Sequence, residues 1–378
     1  MRRFLRRGGL VLGLIGVVLF MATCASTSAF ETFGGTPDPG AMARSPAYHD
    51  GAFVNEEPTG LKVRKGVGKS LGHFLLGDEM REPICPLPLV DPMPTLATPP
   101  HTGLRVTWLG HSTTLIELDG VTVLTDPQWS ERASPSSLVG PKRFHPPPLP
   151  LDKLPRLDAV VISHDHYDHL DMATVKALAK TGVVFHVGLG VGAHLRRWGV
   201  KESQIVEHIW WEDAQLPNGV KLVSTPSRHF SGRGVFAHDP TLWTSWTLVG
   251  PAHRVYFSGD TGMTHYFTDI AQRFGPFDLA MIEIGQWDPS WSDIHLGPRN
   301  ALKATQMVNS PRLLPIHWGT FNLALHPWSQ PIEEAYLDAP SNHVKLLTPK
   351  LGQPIEPTDD PPTPPWWHDL PPMADKCP

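Results

Sequence analysis

The chain has only three cysteines in 378 residues. A disulfide scaffold and a thiolate zinc ribbon are therefore excluded. Charge is scarce too, at 18% of residues, with 32 Lys and Arg against 37 Asp and Glu for a net charge of −5. Outside the extreme N-terminus no basic footprint for nucleic acid appears. No apolar run reaches the roughly 20 residues of a membrane-spanning helix. The opposite extreme is excluded as well, because an apolar share of 40% rules out wholesale disorder. The length suits one large domain or two average ones. Against that background the 20 histidines point most directly to chemistry, ahead of the 41 prolines and 13 tryptophans. Imidazole binds metals and exchanges protons near neutral pH.

Met1 to Arg7 is basic, Leu10 to Ala22 is an apolar or glycine run, and small residues fill Thr23 to Ala29. Basic, apolar, small is the order of a secretory signal. Residues 1–29 are thus expected to be a signal peptide cut after Ala29, or a lipoprotein signal with Cys24 bearing the lipid. The run is short for an uncleaved anchor. The protein is expected to be exported, either periplasmic or anchored at a membrane. Export would leave Cys85 and Cys377 able to pair, joining the two ends of the mature chain.

Residues 30–103 lack periodicity and are dense in proline from Glu82 to Pro100, which reads as an extended wrap or linker. Residues 351–378 form a second proline-rich stretch, a tail carrying Trp366 and Trp367. Between them, 104–350 reads as one catalytic domain. Its strand candidates are Arg105–Leu109, Thr114–Leu118, Val121–Thr125, Ala159–Ser163, Val183–Val187, Val220–Ser224, Leu242–Val249, Arg254–Ser258, Leu279–Ile282 and Leu313–Ile316. Asp119-Gly120 between the second and third is a two-residue hairpin turn. Helices are expected at Met172–Lys180, capped by Asp171, and at Val191–Trp198, Thr264–Phe274, Arg299–Val308 and Ile332–Leu337. Strands come early in runs and helices follow one at a time, which suggests an α/β fold with helices packed outside sheets.

The strand run Ala159–Ser163 delivers the chain into His164-Asp165-His166-Tyr167-Asp168-His169. In an extended segment i and i+2 point the same way, so His164 and His166 can grip one cation. Asp168 and His169 fall where the chain turns toward a helix, facing a second cation at the roughly 3.5–4 Å spacing of two-metal hydrolases. Strand ends also present His229, Asp260 between Gly259 and Gly262, and His317. Each of these three alone fits a capped turn or core residue equally well. With the six-residue motif they make a two-metal site.

This pattern resembles the metallo-β-lactamase-fold hydrolases. Four further segments resemble one branch, the N-acylphosphatidylethanolamine-hydrolysing phospholipases D. They are Trp108-Leu109-Gly110-His111-Ser112, the stretch from Leu124 to Arg132, Val139 to Phe144, and Ile316-His317-Trp318-Gly319-Thr320-Phe321. The resemblance spans about 104–325. It implies an αβ/βα sandwich of two mixed sheets with helices on the outer faces, and two Zn2+, with Mn2+ or Fe2+ as alternatives. By its pattern His164, His166 and His229 hold one ion, Asp168, His169 and His317 the other, and Asp260 bridges both. A hydroxide shared by the metals is then aimed at a phosphodiester phosphorus, and the metals stabilise developing charge. The products would be phosphatidic acid and N-acylethanolamine, with a membrane surface as the place of work.

The resemblance also carries His295 and Tyr167 over as substrate contacts, His295 as donor to a phosphoryl oxygen or to the leaving alkoxide. A helix-entry role for His295 and plain packing for Tyr167 stand beside these readings. His111 reads as a turn or cap residue that reaches the pocket edge at most. The tryptophans read as core, with those near the metal loops also suited to an acyl chain. Two other activities of the fold remain open, a lactonase or other ester hydrolase and a di-iron redox site. The second usually replaces the motif's second His with Glu, and His166 is intact.

Overall fold

A computed structural model of the protein describes residues 31–60, 79–234, 238–371 and 377. The expected signal at 1–29 and Cys24 lie outside these residues.

The fold is built from two seven-stranded sheets of matching design. In the first, β1 (Leu104–Gly110), β2 (Thr113–Leu118) and β3 (Val121–Thr125) run antiparallel. Asp119 and Gly120 close the β2–β3 hairpin with φ of 50° and 80°. Both central residues of this turn type need positive φ, which Asp-Gly supplies cheaply. The sheet continues in parallel through β4 (Ala159–Ile162), β5 (Phe185–Gly188) and β6 (Ile205–His208). The second sheet runs antiparallel through β7 (Asp213–Gln215), β8 (Lys221–Thr225), β9 (Ser245–Val249) and β10 (Arg254–Phe257). It then runs parallel through β11 (Leu279–Glu283), β12 (Arg312–Ile316) and β13 (Lys345–Leu346).

Side chains of a strand alternate between its faces, and β4 shows what each face buries. Ala159 and Val161 enter the core between the sheets with Leu222, Trp246 and Val255. Val160 and Ile162 turn outward to Val175, Leu178 and Leu195. Those partners lie on α1 (Met172–Ala179) and α2 (Gly192–Arg197). The other sheet carries α3 (Tyr266–Phe274), α4 (Gly297–Met307) and α5 (Gln330–Asp338). This is the expected αβ/βα sandwich. Asp171 caps α1, accepting from Ala173 N–H at 3.2 Å. Among the described residues no helix is long and apolar enough to cross a membrane.

The chain ends differ from the sequence reading of extension and tail. Pro354–Ile355, here β14, adds a strand to the first sheet against β1. Trp366 and Trp367 are buried, and Trp366 stacks on Trp318 with ring centres 5.6 Å apart. Proline density hid this, because short edge strands tolerate proline while giving no periodic signal. Cys85 and Cys377 are disulfide-bonded, with Cα atoms 5.3 Å apart. At the other end, Met42 and Phe53 pack on Leu189, Leu242 and Trp243, so residues 39–53 cover the rim of both sheets.

Candidate metal centre

The chain leaves β4 at Ser163, and the next six residues form a bend in which His166, Tyr167 and Asp168 stay partly exposed. His164 and His169 are buried there. His164 Nε2 lies 2.8 Å from His166 Nδ1, and His229 Nε2 lies 3.3 Å from the same atom. Three imidazole nitrogens thus converge with no carboxylate between them. Beside them His317 Nε2 and His169 Nε2 lie 3.3 and 3.4 Å from Asp168 Oδ2. Asp260 Oδ2 stands between the clusters, 3.1 Å from His169 Nε2, 3.2 Å from His317 Nε2 and 3.8 Å from both His164 Nε2 and His229 Nε2. All seven expected ligands are brought together. Asp165, between the first two, points the other way, as alternation requires. It accepts from Gly232 N–H at 2.7 Å and pairs with His194.

The strand ends that bring in Asp260 and His317 need unusual backbone. A Cβ at Gly259 would fall 2.4 Å from the Ser163 Cβ, and one at Gly262 would fall 2.0 Å from the Asp293 carbonyl. Glycine is what lets the Asp260 loop approach the metal motif so closely. His317 itself sits at φ 65°, a conformation that costs a β-carbon residue energy and that clusters at functional sites.

The outward nitrogens are tied down. His164 Nδ1 meets Ser163 Oγ at 2.9 Å, His169 Nδ1 meets Asp126 Oδ2 at 2.7 Å, His229 Nδ1 meets the Ile294 carbonyl at 3.0 Å, and His317 Nδ1 meets the Gly285 carbonyl at 3.4 Å. Donating outward leaves the Nε2 lone pairs facing in, the arrangement that metal-ligating histidines adopt. The donor set passes a second check. His169 Nε2 and Asp260 Oδ1 are buried without a hydrogen-bond partner, an expense that a cation at this point removes. Nitrogen and carboxylate donors suit Zn2+ and its neighbours in the transition series.

Electrostatics separate the clusters. Burial lowers His164, His166 and His229, so this trio is uncharged. Burial acts the same way on His317, but Asp260 and Asp168 outweigh it and raise the ring to about 10. Against the same burial the same two carboxylates raise His169 well above its ordinary value.

Two participants, Asp126 and Glu283, were not marked by sequence, and a third, His111, does more than its sequence reading. Asp126, at the end of β3, is wholly buried and holds Ser163 through its N–H at 2.7 Å and its hydroxyl at 2.6 Å, as well as His169. A strand-end Asp beside the parallel partner of the metal strand was the available signal. His111 has the turn geometry expected of it, at φ 51°, but its ring also reaches Asp168, Nε2 to Oδ2 at 2.8 Å. Burial lowers this imidazole to about 3. Glu283, buried at the end of β11, gave no signal at all.

His295 reaches the site. Its ring centre is 5.2 Å from that of His229 and 5.3 Å from that of His317, and it stacks on the latter at 15°. Tyr167 is placed differently. Its hydroxyl donates to the Arg233 carbonyl at 2.7 Å, and the Arg233 guanidinium covers its ring at 4.0 Å. Arg233 in turn donates to the carbonyls of Asp165 and Leu170, at 2.6 and 2.9 Å, so this pair braces the metal loop. A cleft of about 520 Å³ opens at His229, walled by Phe53, Val54, Phe230, Trp243 and Ile294. Asn55, in the same wall, accepts from His229 N–H at 3.2 Å and donates to its carbonyl at 2.7 Å.

Two mixed sheets with a His/Asp cluster able to hold metal at their strand ends define a metal-dependent hydrolase of the metallo-β-lactamase fold. Residues 121–318 match the family model described as Beta-lactamase superfamily domain, and the chain belongs to that superfamily. An uncharacterized protein of Mycobacterium tuberculosis is 47% identical, over 86% of this chain and 88% of its own. An N-acyl-phosphatidylethanolamine-hydrolyzing phospholipase D of Caenorhabditis elegans is 39% identical, over 58% of this chain and 65% of its own. A metallo hydrolase of the archaeon Ignicoccus hospitalis shares the fold, with a TM-score of 0.51 and 23% identity over 67% of this chain and 97% of that one.

Proposed function

We propose that this protein is an exported zinc phosphodiesterase that hydrolyses N-acylphosphatidylethanolamine-type phospholipids to phosphatidic acid and an N-acylethanolamine. The observation that carries this reading is the meeting of two ligand clusters on Asp260 beside His295, with a cleft at His229 whose wall includes Phe53, Val54, Phe230 and Trp243. The likeness to the phospholipase D of Caenorhabditis elegans supports the substrate class. His164, His166 and His229 would hold one ion, Asp168, His169 and His317 the second, and Asp260 both. Bound there, a zinc pair supplies an ionised water near neutral pH and stabilises negative charge on the phosphoryl oxygens.

The chain's own residues do the rest. Phe53, Val54 and Phe230 offer an acyl chain a wall next to the metals, and excluding water there strengthens every charge interaction inside. His295, at 12% side-chain exposure, is open enough to touch substrate and donates a proton to the departing alkoxide. Tyr167 is the second proposed contact, carried on the metal loop that Arg233 braces. The disulfide between Cys85 and Cys377 supports export, since such bonds persist in oxidising compartments.

The test is a lipid-product assay on purified, zinc-loaded protein with vesicles containing N-acylphosphatidylethanolamine. Release of both products, lost on chelation and restored by zinc, is expected. Lactone hydrolysis without any phosphodiesterase activity would overturn the reading in favour of an ester hydrolase. The N-terminus of protein recovered from the envelope reports on export, either a chain starting at Phe30 or a lipid on Cys24.

A further inference from the structure

We propose that Glu283 positions His295, the two forming a carboxylate–imidazole pair that orients the His295 ring toward the leaving alkoxide. The inference rests on the phosphodiesterase reading above and assigns a partner to its proton donor. Glu283 ends β11 and is wholly buried, where a carboxylate is costly unless it is paired. Its Oε1 accepts from Leu296 N–H at 2.6 Å, and Ser258 Oγ accepts its main-chain N–H at 3.1 Å, so both ends of the residue are fixed. The Leu296 bond places the carboxylate directly under the residue that precedes Leu296, which is His295.

His295 Nδ1 lies 3.5 Å from Glu283 Oε1. Neither His295 Nδ1 nor Glu283 Oε2 has a hydrogen-bond partner among the described residues, and both atoms are buried. The near oxygen, Oε1, already accepts from Leu296 N–H, and the carboxylate keeps Oε2 free for a ring that is one small rotation from a bond. Catalytic hydrogen bonds are often this long before substrate closes the site. The other charged groups facing Glu283 are Asp260 and His317, both committed to the metal clusters. His295 is therefore the partner left to it.

With Nδ1 toward the carboxylate, Nε2 is the ring nitrogen left for the substrate. A ring nitrogen of His295 and donor atoms of His229 and Asp260 all lie within 4.8 Å of one another, so the ring stands beside the residue proposed to bridge the metals. The step balances in protons and bonds. The nucleophile forms a bond to phosphorus as the bond to the alkoxide breaks, and the Nε2 proton passes to the alkoxide oxygen, giving the alcohol. The proton shared between Nδ1 and Glu283 stays. Ionisation of the next water returns one proton to Nε2.

A purely structural alternative exists, since Glu283 also supports the start of α4 through Leu296. Glu283→Gln separates the two, because the amide oxygen still accepts from Leu296 N–H while the charge is gone. On a lipid phosphodiester with an alkyl leaving group, E283Q should lower kcat by about 10²-fold with KM nearly constant, the low end of what a positioned acid contributes. On bis(p-nitrophenyl) phosphate, whose leaving group needs no proton, the loss should be far smaller. In a His295→Ala background the same substitution should add almost nothing. Equal losses on both substrates, or independent losses in the double variant, would overturn the pairing. A second readout does not depend on turnover. The 15N resonance of His295 Nδ1 in zinc-loaded protein should move on E283Q, and an unmoved signal also overturns the pairing. Wild-type activity on the lipid reports on the function, and the ring signal reports on the pair, so each fails separately.

Discussion

The two ligand clusters have the same number of donors and opposite electrostatics. His164, His166 and His229 present three uncharged rings to one another. His169 and His317 instead sit on Asp168 and Asp260, which outweigh burial and raise both rings above the ordinary imidazole value. A cation entering the first cluster meets free lone pairs. A cation entering the second must displace protons and take over two carboxylates already engaged. One fold thus builds a ready site and a proton-guarded site a few ångströms apart, with Asp260 belonging to both.

Breaking the shared residue tests the comparison most severely. Asp260→Ala should empty both clusters and reduce turnover by well over the roughly 10–100-fold that losing an outer partner costs. Metal analysis should find less than one zinc per chain; two zincs, or full turnover, would remove Asp260 from the bridge. The pH dependence of metal binding sharpens the contrast next. Groups whose pKa is raised keep their protons up to the raised value, about 10 for His317, so zinc competes with those protons at neutral pH. Affinity of the second site should climb by up to about ten-fold per pH unit for each displaced proton, between about pH 6 and 8. The three-histidine site, whose rings are already neutral there, should stay nearly flat. Calorimetric titration in buffers of different ionisation enthalpy would show two steps, with proton release confined to the weaker one. Equal release in both would erase the distinction.

What the sequence made legible follows the same divide between local and dispersed. Four ligands lie within six residues after a buried strand, and that arrangement is readable because a β-strand forces i and i+2 to one side. His229, Asp260 and His317 come from three strand ends of the other sheet, readable only as companions of the first four. Their meeting depends on the parallel order β10, β11, β12, which no local signal encodes. Asp126 and Glu283 escaped for a related reason. Their roles exist only as contacts with residues 43 and 13 positions away, His169 and Leu296. The edge strand β14 and the docking of Trp366 were not read from the sequence, because proline suppresses periodicity and stacking on Trp318 is a contact without a sequence pattern.

Asp126→Asn is the next smaller perturbation and acts unequally on the clusters. The carboxylate touches His169 directly but reaches His164 only through Ser163 Oγ. The amide keeps the shape and removes the charge that supports a cationic ligand set. Zinc affinity should fall by about 10–100-fold at the second site and distinctly less at the first. The corresponding outward partners of His229 and His317 are main-chain carbonyls, so no single substitution in the other sheet mimics this effect. An equal loss at both sites would mean that Asp126 stabilises the loop as a whole.

The smallest effect is expected at Tyr167, which sits in the loop common to both clusters. Its hydroxyl bonds the Arg233 carbonyl, and Arg233 bonds the carbonyls of Asp165 and Leu170 within the metal loop. Tyr167→Phe removes one hydrogen bond and leaves the ring under the guanidinium. A stability loss of about 1 kcal/mol is expected, measurable by chemical denaturation of the zinc-loaded protein. If the hydroxyl only braces the loop, KM for the lipid should stay constant and both zinc affinities should fall slightly and together. If it also contacts substrate, KM should rise without any change in zinc affinity. The loop serves both clusters from one backbone segment, so a change in one affinity alone would contradict the shared bracing.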